Sequence, residues 1–169
     1  MSSITESLFR EAKRIPLTQG KFVIVDAEDY PRLVQHKWRA QKTTNTYYAV
    51  RDVGPRDKQT RIWMHREIMQ TPKGMVVDHI NHNGLDNRKR NLRNCTVAQN
   101  AHNSRRHIKS NSQYKGVCWD KYCTPGWKAQ IRYKGKTTGL GYFNSEIDAA
   151  KAYDKAAKQL FGKFANVNF

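Results

Sequence analysis

No stretch of this 169-residue chain approaches the run of about eighteen apolar residues that would cross a bilayer. The start shows none of the apolar core of a secretion signal either, so neither a membrane-embedded nor a secreted protein is expected. Cysteine is scarce and unpaired: Cys95, Cys118 and Cys123 make an odd count with no C-x-x-C pair. That pattern argues against a disulfide framework and a cysteine-rich zinc ribbon. Acidic residues are also few, fourteen Asp+Glu against thirty-one Lys+Arg, which leaves a formal charge of +17. This exceeds what solubility needs, and the excess is spread along the chain, so the expected partner is a polyanion, with nucleic acid foremost. A hydrophobic fraction of 38% still supports a modest core in one ordinary domain or two small ones.

The N-terminal fourteen residues read as an arm, either a short helix or an ordered segment. From residue 15, "GKFVIVD" reads as a strand, followed by a short helix opened by Asp26 with Asp29 three residues later. "NTYYAVRDV" reads as a second strand, and "TRIWMHREIM" as a strand passing into a helix, closed by the turn residues "TPKG". Residues 108–113, within a polar and basic stretch, have the composition of a linker that lies along phosphates. Beyond it, "YKGVCWD", "GWKAQIRY" and "KTTGLGYF" read as three strands, the last two joined by a Lys134-Gly135 hairpin turn. A helix then begins after Ser145, with Asp148 at the capping-box position, and stops near Gly162. Its many alanines suit close approach to a sheet.

The stretch "VVDHINHNGLDNRKRNLRNCTVAQNAHN", residues 76–103, crowds acid, imidazole and amide groups into a basic surrounding. "MVVDH" reads as a buried strand delivering Asp78 and His79 at its end. An Asn-rich loop follows, and then a helix capped by Thr96. Hydrolysis of a phosphodiester needs a base for the attacking water and positive charge on the phosphate and leaving oxygen. His79 suits the base. Asp78 and Asn100 offer hard oxygen ligands for Mg²⁺, with Mn²⁺ as a substitute, and Asn103 is an alternative to Asn100. Arg88, Lys89, Arg90, Arg93, Arg105 and Arg106 are candidate phosphate contacts. His65 reads either as a structural residue or as a site contact. The spacings of Cys95 with His102 and of Cys118 with Cys123 fit no structural zinc site.

Asp78-His79, "GLDNRKRNLR" and "AQNAHN" together resemble the HNH nuclease motif, in the variant of phage and bacterial homing endonucleases whose last histidine is an asparagine. The resemblance spans about residues 60 to 106. It implies a ββα-metal fold with His79 as general base and Asp78 and Asn100 as metal ligands. The middle asparagine that orients the histidine falls on Asn87 or on Asn91, with Asn87 preferred.

Residues 114–169 resemble the APETALA2/ethylene-response DNA-binding domain, through "YKGV", "WKAQIR", "LGYF", "AAKAYDKAA" and "ANVNF". That resemblance implies a three-stranded antiparallel sheet laid into the major groove of double-stranded DNA. Lys115, Trp119, Lys128, Gln130, Arg132 and Lys136 are then the candidate contacts. Departures at Cys118, Asp120, Thr137 and Gly139 from that family's usual Arg and Trp put its base preference in doubt.

The expectation is therefore an α+β chain: an arm (1–14), an HNH nuclease domain (15–107), a linker (108–113) and a three-stranded sheet packed on one helix (114–169). Its expected activity is Mg-dependent cleavage of duplex DNA in the cytoplasm of a bacterial or phage-infected cell. The rivals are a non-catalytic sequence-specific DNA-binding regulator and an RNA-binding protein, which would favour single strands.

Overall fold

The computed structural model describes residues 11–105, 111–124 and 126–169, which group into two compact units dividing between Val97 and Ala98. Among the described residues no helix is long and apolar enough to cross a membrane.

In the N-terminal unit, β1 (Ala12–Pro16) pairs antiparallel with β2 (Phe22–Asp26). The last residues of the expected arm are thus a strand; residues 1–10 lie outside the described residues. The short helix α1 covers Tyr30–Leu33. It starts after Asp29 rather than Asp26, and the Asp29 carboxylate accepts from Arg32 instead of capping the helix. Strands β3 (Arg39–Lys42), β4 (Tyr47–Val53) and β5 (Thr60–Trp63) form an antiparallel sheet in that order, and β5 runs directly into α2 (Met64–Met69), as the sequence predicts. Strands β6 (Val76–His79) and β7 (Leu92–Cys95) then make a separate two-stranded hairpin.

Alternation dictates what this unit buries. Val23 and Val25 of β2 point inward with Ile15 of β1, and join Leu33, Trp38, Met64 and Leu92 in one cluster. Each large apolar side chain buried this way stabilises the fold by about 1.5–3 kcal/mol. Trp38 keeps its one donor satisfied by giving Nε1–H to Leu33 O at 2.8 Å.

The C-terminal unit takes in most of α3 (Val97–His102), then β8 (Val117–Trp119), β9 (Trp127–Tyr133), β10 (Lys136–Phe143) and α4 (Glu146–Phe161). The sheet order is β10-β9-β8, antiparallel throughout. Lys134 and Gly135, at φ 47° and 81°, form the expected two-residue hairpin turn. Ser145 Oγ accepts from Ile147 N and Asp148 N, so α4 starts where the capping residue predicts. Ala129 and Ile131 of β9 face the helix, where Ala149, Ala150 and Ala157 let the backbones approach.

Two devices lock this unit. Gly116, at φ +76°, lies so near Tyr153 that an added Cβ would stand 1.9 Å from the ring. Only glycine fits that position. The buried Asp154 carboxylate accepts from Asn168 N, Asn168 Nδ2 and Phe169 N, and Asn168 in turn exchanges hydrogen bonds with the backbone of Lys115. The "ANVNF" tail is thereby tied to the start of the sheet.

The expected linker divides differently from its composition. Residues 106–110 lie outside the described residues. Asn111, Ser112 and Gln113 belong to the C-terminal unit: Asn111 Oδ1 accepts from Trp119 N, and Glu146 accepts from Ser112 Oγ and Gln113 N.

Candidate functional site

The β6–β7 hairpin ends at Asp78 and His79, which are 4% and 6% exposed. Because the strand stops there, the usual opposite facing of neighbouring residues is not propagated further. The register sets Asp78 directly across from Arg93. Arg93 donates to Asp78 Oδ2 from Nε at 2.8 Å and from Nη2 at 2.6 Å. Arg93, expected at a phosphate, holds the candidate ligand through these bonds.

His79 Nε2 lies 2.8 Å from Asn87 Oδ1. An amide oxygen only accepts, so Nε2 carries the hydrogen and the imidazole lone pair sits on Nδ1. Burial holds the His79 pKa below its ordinary value, against the opposing influence of Asn87, Asp78 and Asp86. The ring is therefore neutral, as a base must be. Around it stand Tyr48 (ring centroids 5.6 Å apart) and His65 (5.1 Å), and Trp63 packs on both of those. Burial first, and then the Asp78 charge, raise the Tyr48 pKa. Burial and the neighbouring His79 and Arg66 lower that of His65 to about 3.

The loop between the strands explains the crowding of asparagine. Asn83 N donates to Asn81 Oδ1, Leu85 N donates to Asn83 Oδ1, and Asn81 Nδ2 reaches Asp86. Short amide side chains here replace the ladder partners that an irregular segment lacks. Asn91 accepts from Asn81 N and donates to Asp86 O, so it stitches the loop while Asn87 touches the histidine. Asn87 is fully buried, and its N–H donates to Ile24 O on β2. Gly84 passes so close to Tyr47 O and the Tyr48 ring that a Cβ would lie 2.5–2.7 Å from them. The N-terminal strands thus set the loop that sets His79.

The loop cations are mostly engaged within the protein. Arg88 pairs with Asp86, which holds that carboxyl below its ordinary range. Lys89 reaches Glu28 and Asp29. Arg90 and Arg105 are exposed, and Arg106 lies outside the described residues. Among the described residues, the three-acid group with metal-binding spacing is Asp26, Glu28 and Asp29. Lys89 pairs with its Glu28 and Asp29, and Arg32 with Asp29.

In the C-terminal unit, Asn100 on α3 is exposed and Asn103 is buried. Lys128, Gln130 and Arg132 alternate with the helix-facing Ala129 and Ile131, and so share the sheet face turned away from α4. Lys128 Nζ stands over the Tyr142 ring, while Arg132 and Lys136 are exposed. Two of the expected DNA contacts also engage the protein itself. Trp119 pairs with Trp127, in the register of the helix-facing residues, and stacks edge-on against its ring at 5.0 Å, although 47% of it remains exposed. Lys115 turns inward: Nζ donates to His102 O at 2.8 Å, and burial lowers its pKa to about 8. The His102 ring lies flat on Phe161, 3.9 Å away at 8°, and Asn166 Nδ2 donates to Ser104 O.

Reading the sequence missed Tyr48 and the Arg93–Asp78 pair, whereas its preference for Asn87 as the asparagine against the histidine agrees with the 2.8 Å contact. Only the alternation of "LRNC" opposite "VVDH" hinted at the second.

Residues 70–102 match the HNH endonuclease family. Over 156 residues, 89% of this chain and 76% of the relative, the sequence is 31% identical to an uncharacterized HNH endonuclease of Acanthamoeba polyphaga mimivirus. A stretch of 65 residues, 36% of this chain, is 42% identical to dehydration-responsive element-binding protein 2A of Oryza sativa subsp. indica, of which it covers 22%. The same figures hold for that protein in Oryza sativa subsp. japonica. No solved structure matches the chain.

Proposed function

Because the chain belongs to the HNH endonuclease family, we propose that it is a Mg²⁺-dependent DNA endonuclease whose base is His79 and whose C-terminal sheet brings it to duplex DNA. The observation that carries this reading is the buried Asp78-His79 pair at a strand end, with Asn87 holding the histidine in one tautomer.

His79 Nδ1 takes a proton from the attacking water. The water oxygen forms a bond to phosphorus as the bond to the 3′ oxygen breaks and that oxygen takes a proton from solvent water, leaving a 5′-phosphate and a 3′-hydroxyl. Asn87 keeps Nε2 protonated, so the lone pair stays on the side that receives the proton. Asp78 would hold the metal, and the HNH motif assigns its second oxygen ligand to Asn100. A carboxylate and an amide oxygen are the hard donors that Mg²⁺ takes while keeping water and phosphate in its other positions. Arg93 donates to Asp78 Oδ2 from both Nε and Nη2, which orients the carboxylate. When bound, the metal supplies positive charge for the scissile phosphate and the leaving oxygen.

The partial likeness to a plant element-binding protein supports a reading role for the sheet. Lys128, Gln130, Arg132 and Lys136 are its proposed contacts, in the major groove, with Arg90 and Arg105 adding phosphate contacts. Incubating supercoiled plasmid with the wild type and with His79→Ala, each with Mg²⁺ and with EDTA, tests the reading. Nicked or linear product from the wild type with Mg²⁺ alone supports it. Duplex binding by both proteins with no cleavage under any divalent metal leaves the DNA-binding regulator in its place.

A further inference from the structure

Beside the aromatic residues around His79, the N-terminal unit carries an open groove of about 520 Å³ lined by Arg51, Arg61, Trp63, Arg66, Glu67 and Thr71, among others. Arg51 comes from β4, Arg61 and Trp63 from β5, and Arg66 and Glu67 from α2; Thr71 lies just past that helix. Three guanidinium groups therefore line it against one carboxylate.

Their charges are unevenly met. Arg51 Nη2 reaches Glu67 at 3.1 Å, and Glu67 also faces Arg32 at 3.5 Å. Arg61 pairs with Asp52, whose other carboxylate oxygen is taken by Arg39. Among the described residues Arg66 makes no ion pair. Two buried polar atoms belonging to lining residues, Arg51 Nε and Thr71 Oγ1, have no hydrogen-bond partner among the described residues. A concave surface with surplus guanidinium charge and unmatched donors is suited to an oxyanion. Trp63 forms one wall, and its ring is 5.6 Å from Tyr48 and 5.8 Å from His65, both of which touch the His79 ring.

We propose that this groove binds a backbone phosphate of the DNA strand being cut, one that flanks the cleaved bond and is not itself the reacting centre. This rests on the nuclease reading above, which supplies DNA as the polyanion. A flanking contact would fix the register of the strand over His79 without carrying sequence information.

The test uses the full chain in EDTA, so that binding is read apart from cleavage. A fluorescently labelled duplex of mixed sequence is titrated with the wild type, Arg66→Gln and Thr71→Val at several salt concentrations. Arg66→Gln is expected to lower the slope of log K against log salt by about 0.9, the signature of one lost phosphate contact. Thr71→Val, close to isosteric, is expected to weaken binding about two- to tenfold through one lost hydrogen bond. Amide exchange in residues 61–71 is expected to slow with the duplex and to be unchanged by inorganic phosphate alone. An unchanged slope for Arg66→Gln, with unchanged melting, overturns the proposal, as does equal protection by inorganic phosphate, which would make the groove a small-anion site. A lowered slope in a protein that never cuts plasmid keeps the groove and sinks the nuclease reading. The reverse pattern does the opposite.

Discussion

Asn87 Oδ1 meets His79 Nε2 at 2.8 Å, and the Asn87 backbone N–H is itself held by Ile24 O on a strand more than sixty residues earlier in the chain. The tautomer of the base is thus fixed by an amide whose own position depends on β2. Asn87→Leu removes the acceptor while keeping the volume. Single-turnover cleavage is expected to fall about a hundredfold or more, with duplex affinity unchanged. Asn87→Asp, which still accepts from Nε2, is expected to retain more activity than Asn87→Leu.

Arg93 and Asp78 are mostly buried together, so removing one partner takes a buried ion pair from the other. Arg93→Ala is expected to cost about 3 kcal/mol of stability, read from denaturant unfolding. Its effect on the salt dependence of DNA binding is expected to be smaller than that of Arg132→Gln.

His65 sets the acid limit of the N-terminal unit. Its folded pKa lies near 3, against 6.5 for a free histidine. Between those values the unfolded chain binds a proton that the folded chain does not. Its contribution is therefore fully present above pH 6.5 and is lost as pH falls toward 3, by about 1.4 kcal/mol per pH unit. His65→Phe is expected to flatten the decline of stability across that window, as measured by urea unfolding at a series of pH values.

Gly116→Ala tests the fit of the sheet to Tyr153. A methyl at positive φ costs about 1–2 kcal/mol, and the clash with the ring adds about 1–3 kcal/mol. The melting temperature of the full chain is expected to drop by several degrees or more. Gly74→Ala, at φ +84° with open space around it, is expected to pay the backbone cost alone.

The C-terminal unit was nearly all legible in the sequence, because each of its signals is local. Alternation marks β9 and β10, Lys134-Gly135 marks the turn, and Ser145 marks the helix start. The N-terminal unit was legible only in part. Strands β3 ("RAQK") and β7 ("LRNC") are short and polar, and become strands through pairing with β4 and β6. Asp78 and His79 stood out by residue type, but their partners Arg93 and Asn87 are set by cross-strand register and by contact with β2. Lys115 misled for the same reason: a lysine ahead of a strand reads as a surface cation until the carbonyl it caps is seen.

The interactions of Lys115 with His102, of His102 with Phe161 and of Asn166 with Ser104 bind α3 to the residues that follow it. Any recombination that transplanted the C-terminal unit onto another protein, or any graft made by a protein engineer, would have to carry α3 with it to keep those contacts. A cut placed in the basic stretch near residue 110 would discard the turn of helix that Phe161 and Lys115 are shaped to hold, and would leave an aromatic face and a half-buried amine with nothing to cover them.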